Sequence, residues 1–321
     1  MVSQTLKKLS VVVPVYNEQG GLKAFHASLV DVLRDLRGIE YEIIYCNDGS
    51  TDGSKDVLSD IASSDQTVKV IEFSRNFGKE SALSAGISYA NGDAILTLDG
   101  DGQHPVEAIP QFFDAWKSGA KVVVGIQTIP GGGALKKAES KLFYKTFNQL
   151  SSQKLIPGST DFRLIDKLVQ TEFVRLGEAN RMTRGLIDWL GFETAYVSFT
   201  PKARTNGKPG YSQIKLIQLA MNSVVSLSPR PLYILGYLGV IVTLLALLLG
   251  LTVFIEQLLL GDPAHWHFTG TAMLGILLLF FVGILLISQG VLALYISHIH
   301  TESKSRPLYV IDYSRSKRIK P

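Results

Sequence analysis

The segment Leu96-Thr97-Leu98-Asp99-Gly100-Asp101-Gly102-Gln103-His104-Pro105 decides how this chain is read. Ala94 to Leu98 is a short apolar run, the pattern of a buried strand, and it stops at two aspartates separated by one glycine. In extended backbone, residues i and i+2 point to the same side, so the carboxylates of Asp99 and Asp101 can converge on one ligand. The flanking glycines let the chain turn and let a bulky group approach closely. Two hard anionic oxygens at a strand end suit Mg2+ or Mn2+, ions that also hold phosphate. A turn that merely favours Asp and Gly is the alternative.

Outward from this stretch, strands alternate with helices. Leu9–Val15 is a β-branched run closed by Pro14-Val15-Tyr16-Asn17-Glu18 and reads as the first strand. Apolar residues at Leu22, Phe25, Leu29, Val32, Leu33 and Leu36 have helical spacing. Tyr41–Cys46 is a second strand, Asp56–Ala62 a short helix, Val68–Phe73 a third strand and Lys79–Ala90 a helix. The strand carrying the two aspartates is the fourth, and Lys121–Gly125 is a fifth. Alternation of this kind predicts an α/β fold, a parallel sheet with helices on both faces. Ligands of such sheets sit beyond the carboxyl ends of the strands. Asn17, Asp48, Arg75 and Asp99 all follow strand ends and are expected in one crevice.

The last third of the 321 residues is different. Leu232–Ile255 and Phe268–Ser297 carry no charged residue, and each exceeds the ~20 apolar residues that cross a bilayer. They predict two transmembrane helices; a buried helix of a soluble core is the alternative. The connector Glu256–His267 has no Lys or Arg, whereas Arg230 precedes the first span and Lys304, Arg306, Arg315, Lys317, Arg318 and Lys320 follow the second. The positive-inside bias puts both termini and the large domain in the cytoplasm. Met1–Ser10 holds no long apolar segment, so no signal peptide is expected. The single cysteine, Cys46, cannot form an internal disulfide. Ser212–Ser228 has an apolar stripe of Ile214, Ile217, Met221, Val224 and Val225, which fits a helix lying in the membrane interface. His265, Trp266 and His267 read as an anchor on the far side.

Three motifs, Val11-Val12-Val13-Pro14-Val15-Tyr16-Asn17-Glu18, Asn47-Asp48-Gly49-Ser50-Thr51-Asp52 and Asp99-Gly100-Asp101, resemble the opening of glycosyltransferase family 2. Ser74-Arg75-Asn76-Phe77-Gly78-Lys79-Glu80 and Asp101-Gly102-Gln103-His104-Pro105 are similar to a narrower group, the polyisoprenyl-phosphate glycosyltransferases. Arg181-Met182-Thr183-Arg184-Gly185-Leu186, Trp189-Leu190-Gly191-Phe192 and Arg306-Pro307-Leu308-Tyr309-Val310 resemble its bacterial branch. The resemblance implies a GT-A (Rossmann-like) catalytic domain over 1–210. Beyond it would lie an amphipathic juxtamembrane helix (211–229), two transmembrane helices (230–298) and a basic tail (299–321). It also implies an enzyme of the bacterial cytoplasmic membrane that moves a sugar, glucose from UDP-glucose as the best guess, onto a polyprenyl phosphate with inversion. Other donors (GDP-mannose, UDP-GlcNAc) and a processive polysaccharide synthase remain alternatives, the latter without its usual Gln-x-x-Arg-Trp motif. A non-enzymatic membrane partner is a third class, against which the intact aspartates argue. Partners are the nucleotide sugar, the lipid phosphate and the membrane, with no nucleic acid and a homo-oligomer left open.

By the same resemblance, Asp48 binds the nucleotide base, and Pro14, Tyr16, Glu18, Arg75, Lys79, Asp99 and Gln103 complete the donor site. Asp99 and Asp101 hold the metal, Mg2+ or Mn2+. Asp161 is the catalytic aspartate, with Asp101 and Arg163 beside it. Arg204, Lys208 and Arg184 take the acceptor phosphate. Simpler readings stand next to these: Asn47 as a turn residue, Arg75 and Lys79 as solvated edge cations, and Asp161 as the N-cap of a helix near Leu164–Leu176. The chain departs from the family in two places. No arginine follows the fifth strand, where Lys136, Lys137, Lys141 and Lys145 are the nearest cations. Pro209-Gly210 stands where relatives usually have Ser-Lys.

Overall fold

A computed structural model describes residues 7–36, 38–128, 156–178, 181–201 and 270–320, with six isolated positions between 237 and 248. Residues 7–128, 156–201 and 305–320 belong to one compact unit. At its centre is a seven-stranded sheet of order β3-β2-β1-β4-β6-β5-β7. The strands are β1 (Lys7–Val15), β2 (Ile39–Asn47), β3 (Val68–Glu72), β4 (Ala94–Thr97), β5 (Val122–Gln127), β6 (Ser159–Asp166) and β7 (Thr194–Phe199).

Alternation along β1 explains the layering. Leu9, Val11, Val13 and Val15 face one core, while Val12 faces the other. The first core is closed by α1 (Leu22–Asp35), α2 (Ser54–Ser64) and α4 (Ile109–Lys117). The second is closed by α3 (Lys79–Tyr89), α5 (Lys167–Arg175) and α6 (Thr183–Trp189). Strands covered on both faces read as continuous apolar runs, which is why β1 and β2 are so legible. α3 comes very close to the sheet: a Cβ at Gly86 would collide with Val12 and lie 2.9 Å from the Cys46 sulfur. The Cys46 thiol is fully buried there, and burial pushes its pKa up.

The expected parallel sheet is corrected to a mixed one. β1, β2, β3 and β4 are parallel, but β6 runs antiparallel to both β4 and β5. Reversal of β6 places its first residues, not its last, at the carboxyl end of β4. Asp161 therefore enters the crevice from the start of a strand. It is not a helix cap: α5 begins at Lys167, and Asp166 caps it by accepting from Leu168 N at 3.0 Å.

Among the described residues one helix, α7 (Gly270–Ser303), is long and apolar enough to cross a membrane, with Phe280–Ser297 as its candidate span. The other expected span, Leu232–Ile255, lies outside the described residues except for Tyr237, Ile241, Val242, Leu244, Leu245 and Leu248. The expected interface helix, the His265–His267 anchor and the lysines at 136–145 also lie outside them.

Candidate active site

Loops at the carboxyl ends of β1, β2 and β4 form the crevice. The β1 loop and the β2 loop are tied together: Ser50 Oγ accepts from Asn17 N at 3.0 Å, Asn17 Oδ1 from Thr51 N at 2.8 Å, and Ser54 Oγ from Glu18 N at 2.9 Å. Asn17 holds a left-handed conformation (φ 56°), which asparagine tolerates. Asn47 is more than a turn residue. It is buried, donates to Glu72 Oε2 at 2.8 Å and accepts from Ser50 Oγ at 2.5 Å. Gly49 (φ 64°) is required twice over, because a Cβ there would strike the backbone of Arg75 and Asn76.

Asp48 is 3% exposed, and its carboxylate is engaged by the backbone of the loop after β3. Phe77 N donates to Oδ1 at 2.6 Å and Gly78 N to Oδ2 at 2.9 Å. Burial raises its pKa, and the two N–H groups and Arg75 only partly offset this. Arg75 lies exposed at the loop, its guanidinium 4.0 Å above the Phe77 ring.

Lys79 opens α3 and bridges two sequence-predicted aspartates. Its Nζ lies 2.6 Å from Asp99 Oδ1 and 2.7 Å from Asp161 Oδ2. Burial alone would lower the ammonium pKa, but Asp99 and Asp161 outweigh it and hold it above the ordinary lysine value. Burial likewise pushes the Asp161 carboxyl up, yet Lys79, Arg184 and Arg163 pull it below its usual value. Thr97 Oγ1 donates to the Asp161 carbonyl at 2.6 Å, fixing the start of β6 against the end of β4. The turn after β4 is set by His104, whose Nδ1 accepts from Asp99 N at 3.0 Å, and by Asp101 Oδ1, which accepts from Gln103 N at 3.0 Å. Burial lowers the His104 pKa, consistent with a neutral ring that can accept there. Glu18, Asp101 and His104 line a cavity of about 220 Å³ between this turn and α1.

No cluster of three or more His, Cys, Asp or Glu that could cage a metal occurs among the described residues. Two carboxylates on one turn nevertheless match Mg2+ or Mn2+, which take one or two protein carboxylates and fill their remaining positions with water and substrate phosphates. By ligand type Asp99 and Asp101 suit such an ion; Asp99 Oδ1 is paired with Lys79 here, and Asp101 lines the cavity beside α1.

Arg163 is not where a catalytic cation would be. Its side chain is 2% exposed, and Nη1 and Nη2 reach Asp188 Oδ1 and Oδ2 at 2.5 and 3.3 Å. Its Nε donates to Thr160 O at 3.1 Å and its Nη1 to Arg184 O at 3.3 Å. Arg163 thus clamps α6 to β6 and positions Asp161 and Arg184. The Arg184 Nε is buried without a hydrogen-bond partner among the described residues, and the side chain acts on Asp161 electrostatically. Pro14 and the half-exposed Tyr16 stand at the β1 end. Arg204 and Lys208 lie outside the described residues.

Sequence reading gave no role to Glu80, His104 or Asp188. Glu80 Oε2 accepts from Thr183 N at 2.7 Å and so holds the first turn of α6; burial and Asp161 raise its pKa. One signal was available for Asp188: an arginine between Phe162 and Leu164 on a buried strand needs an anionic partner.

Residues 10–169 match the Glycosyl transferase family 2 profile. A bactoprenol glucosyl transferase of Shigella phage SfV is 35% identical over 311 residues, 97% of this chain and 100% of that protein. The chain belongs to glycosyl transferase family 2. This glycosyltransferase is also 37% identical over 305 residues to an uncharacterised glycosyltransferase of Synechocystis sp., covering 95% of this chain and 94% of the relative. A prophage bactoprenol glucosyl transferase homolog of Escherichia coli K12 is 34% identical over 305 residues, 95% of this chain and 98% of its own. Among solved structures, glucosyl-3-phosphoglycerate synthase from Mycobacterium tuberculosis, in complex with Mn2+, UDP-glucose and phosphoglyceric acid, aligns with a TM-score of 0.49. That alignment has 20% identity and covers 70% of this chain and 79% of the other.

Proposed function

We propose that this glycosyltransferase moves glucose from UDP-glucose to a membrane polyprenyl phosphate, with inversion, for cell-envelope glycosylation. The observation that carries the reading is the convergence of Asp99 and Asp161 on Lys79 at the carboxyl end of the sheet. The bactoprenol glucosyl transferase names of full-length relatives support the sugar and the lipid. Phe280–Ser297 supports one membrane span; the second span of this reading, Leu232–Ile255, and the placement of the catalytic unit on the cytoplasmic face rest on the charge-free run and the distribution of basic residues in the sequence.

In the reaction, an oxygen of the acceptor phosphate attacks the anomeric carbon. The bond from that carbon to the donor diphosphate breaks, and its electron pair leaves with the nucleoside diphosphate. In-line displacement inverts the configuration. A divalent ion held by Asp99 and Asp101 would supply charge stabilisation for the leaving diphosphate. Arg75 and Lys79 bind phosphate oxygens on the donor side, and Asp48 holds the loop that carries Arg75 and leads into Lys79. A phosphate monoester has a second pKa of about 6, so the nucleophile is mostly ionised already. Asp161, kept ionised by Lys79, orients the acceptor and takes any residual proton. Arg184, with Arg204 and Lys208, holds the acceptor phosphate.

Sealed inverted vesicles, given undecaprenyl phosphate and a panel of labelled nucleotide sugars, test the reading. Label should enter the lipid fraction from UDP-glucose in inverted vesicles and not in right-side-out ones. Transfer from a different nucleotide sugar would refute the donor. Transfer in right-side-out vesicles would refute the orientation.

A further inference from the structure

Residues 305–320 follow α7 in the chain and pack along β3, the edge strand of the sheet. Lys317 pairs with Val70 in both directions, N to O at 2.9 and 3.1 Å, and Asp312 N donates to Glu72 O at 2.8 Å. Arg318 Nη1 donates to the Val68 carbonyl at 2.6 Å and Arg318 Nη2 to Gln66 Oε1 at 2.8 Å. An exposed edge strand presents unpaired N–H and C=O groups, and covering it would alone account for these contacts.

The segment goes further than β3. Ser74 N, the first residue of the loop that carries Arg75, donates to Val310 O at 3.0 Å. Ser81 Oγ, in the first turn of α3, donates to Leu308 O at 3.3 Å. Tyr309 stacks on Phe73, with centroids 5.1 Å apart and planes 8° from parallel. Phe73 in turn meets Phe77 edge-on at 5.8 Å, and Arg75 lies over Phe77. Loop Ser74–Gly78 is therefore held from two directions, by the Asp48 carboxylate on one and by Tyr309 and Val310 on the other.

We propose that Tyr309 is a positioning residue of the donor site: through Phe73 and Phe77 it sets the loop that presents Arg75 to a nucleoside diphosphate. The inference rests on the donor reading given above. The C-terminal segment is thus part of the nucleotide-binding apparatus, although it touches no substrate.

Full-length Tyr309→Ala and Tyr309→Phe test it. The phenylalanine keeps the stack and loses only the hydroxyl. Amide hydrogen exchange and calorimetric UDP binding serve as readouts beside steady-state kinetics. Losing one stacked aromatic contact corresponds to about a 10-fold effect. In Tyr309→Ala, exchange at residues 74–78 should speed up while residues 11–15 stay protected. KM for the nucleotide sugar and Kd for UDP should rise about 10-fold, with kcat and acceptor KM near wild type. Tyr309→Phe should behave as wild type. Unchanged exchange at 74–78, or donor and acceptor KM rising together, would overturn the proposal. If the wild-type protein binds no UDP, the donor reading fails instead, and the exchange arm still judges the role of Tyr309.

Discussion

Arg163 was expected among the catalytic groups, and its buried pairing with Asp188 assigns it a different task that can be measured. The Arg163 side chain is 2% exposed and that of Asp188 30% exposed. Breaking a buried ion pair by removing one partner costs about 3–5 kcal/mol; the partial exposure of Asp188 favours the lower end. Arg163→Met keeps the apolar stem and leaves Asp188 to be solvated, so about 3 kcal/mol is expected. Asp188→Ala strands a guanidinium that still has Thr160 O and Arg184 O, and a similar loss follows. For a unit of this size, about 3 kcal/mol lowers Tm by roughly 6–12 °C. The double variant should lose no more than the worse single one, which corresponds to a coupling energy of about 3 kcal/mol. Because the clamp holds both Asp161 and Arg184, the two single variants should also lower kcat by similar factors. The assay is thermal melting plus turnover for the four proteins of the cycle. If Arg163→Met lost about 100-fold in kcat with an unchanged Tm, while Asp188→Ala worked normally, Arg163 would touch substrate and the clamp would be irrelevant to rate.

Two other outcomes are expected. Asp99→Asn or Asp101→Asn should lower turnover by about 100-fold or more, the scale of a lost preorganised charge contact, and chelator should abolish wild-type transfer until Mn2+ or Mg2+ is restored; full activity in excess chelator would refute the metal role. Glu72 is buried beside Asn47, and burial raises its carboxyl from 4.5 to about 7. A raised folded-state pKa means that stability is fully present below about pH 4.5 and lost as pH rises towards 7, by at most about 3 kcal/mol. Glu72→Gln should flatten that slope and melt higher than wild type at pH 8, as pH-dependent thermal melting will show.

The parts of this fold that could be read from the sequence are those where local pattern and tertiary role agree. β1 and β2 are covered on both faces, so their apolar runs announce them, and Asp48 and Asp99 then follow from being the next residues after a strand. β6 was hidden because Phe162-Arg163-Leu164-Ile165 carries an arginine on one face. That residue is tolerable only because Asp188, 25 residues later, meets it, and no local pattern reports such a partner. With β6 unread, the sheet looked wholly parallel, and Asp161 could be placed in the crevice only by resemblance. The same limit applies at the opposite edge of the sheet. Residues 305–320 read as a basic tail because their lysines and arginines are plentiful, yet Arg318 is spent on backbone carbonyls of 65 and 68. Tyr309 and Ile311 bury against the second core, more than 200 residues away from the strand they cover. Long-range closure of this kind leaves no periodic trace in a short segment. What it does leave is composition: four apolar or aromatic residues, Leu308, Tyr309, Val310 and Ile311, stand in a row between Arg306-Pro307 and Asp312. A disordered polar tail has no use for such a run, because its apolar groups could find no surface to bury against.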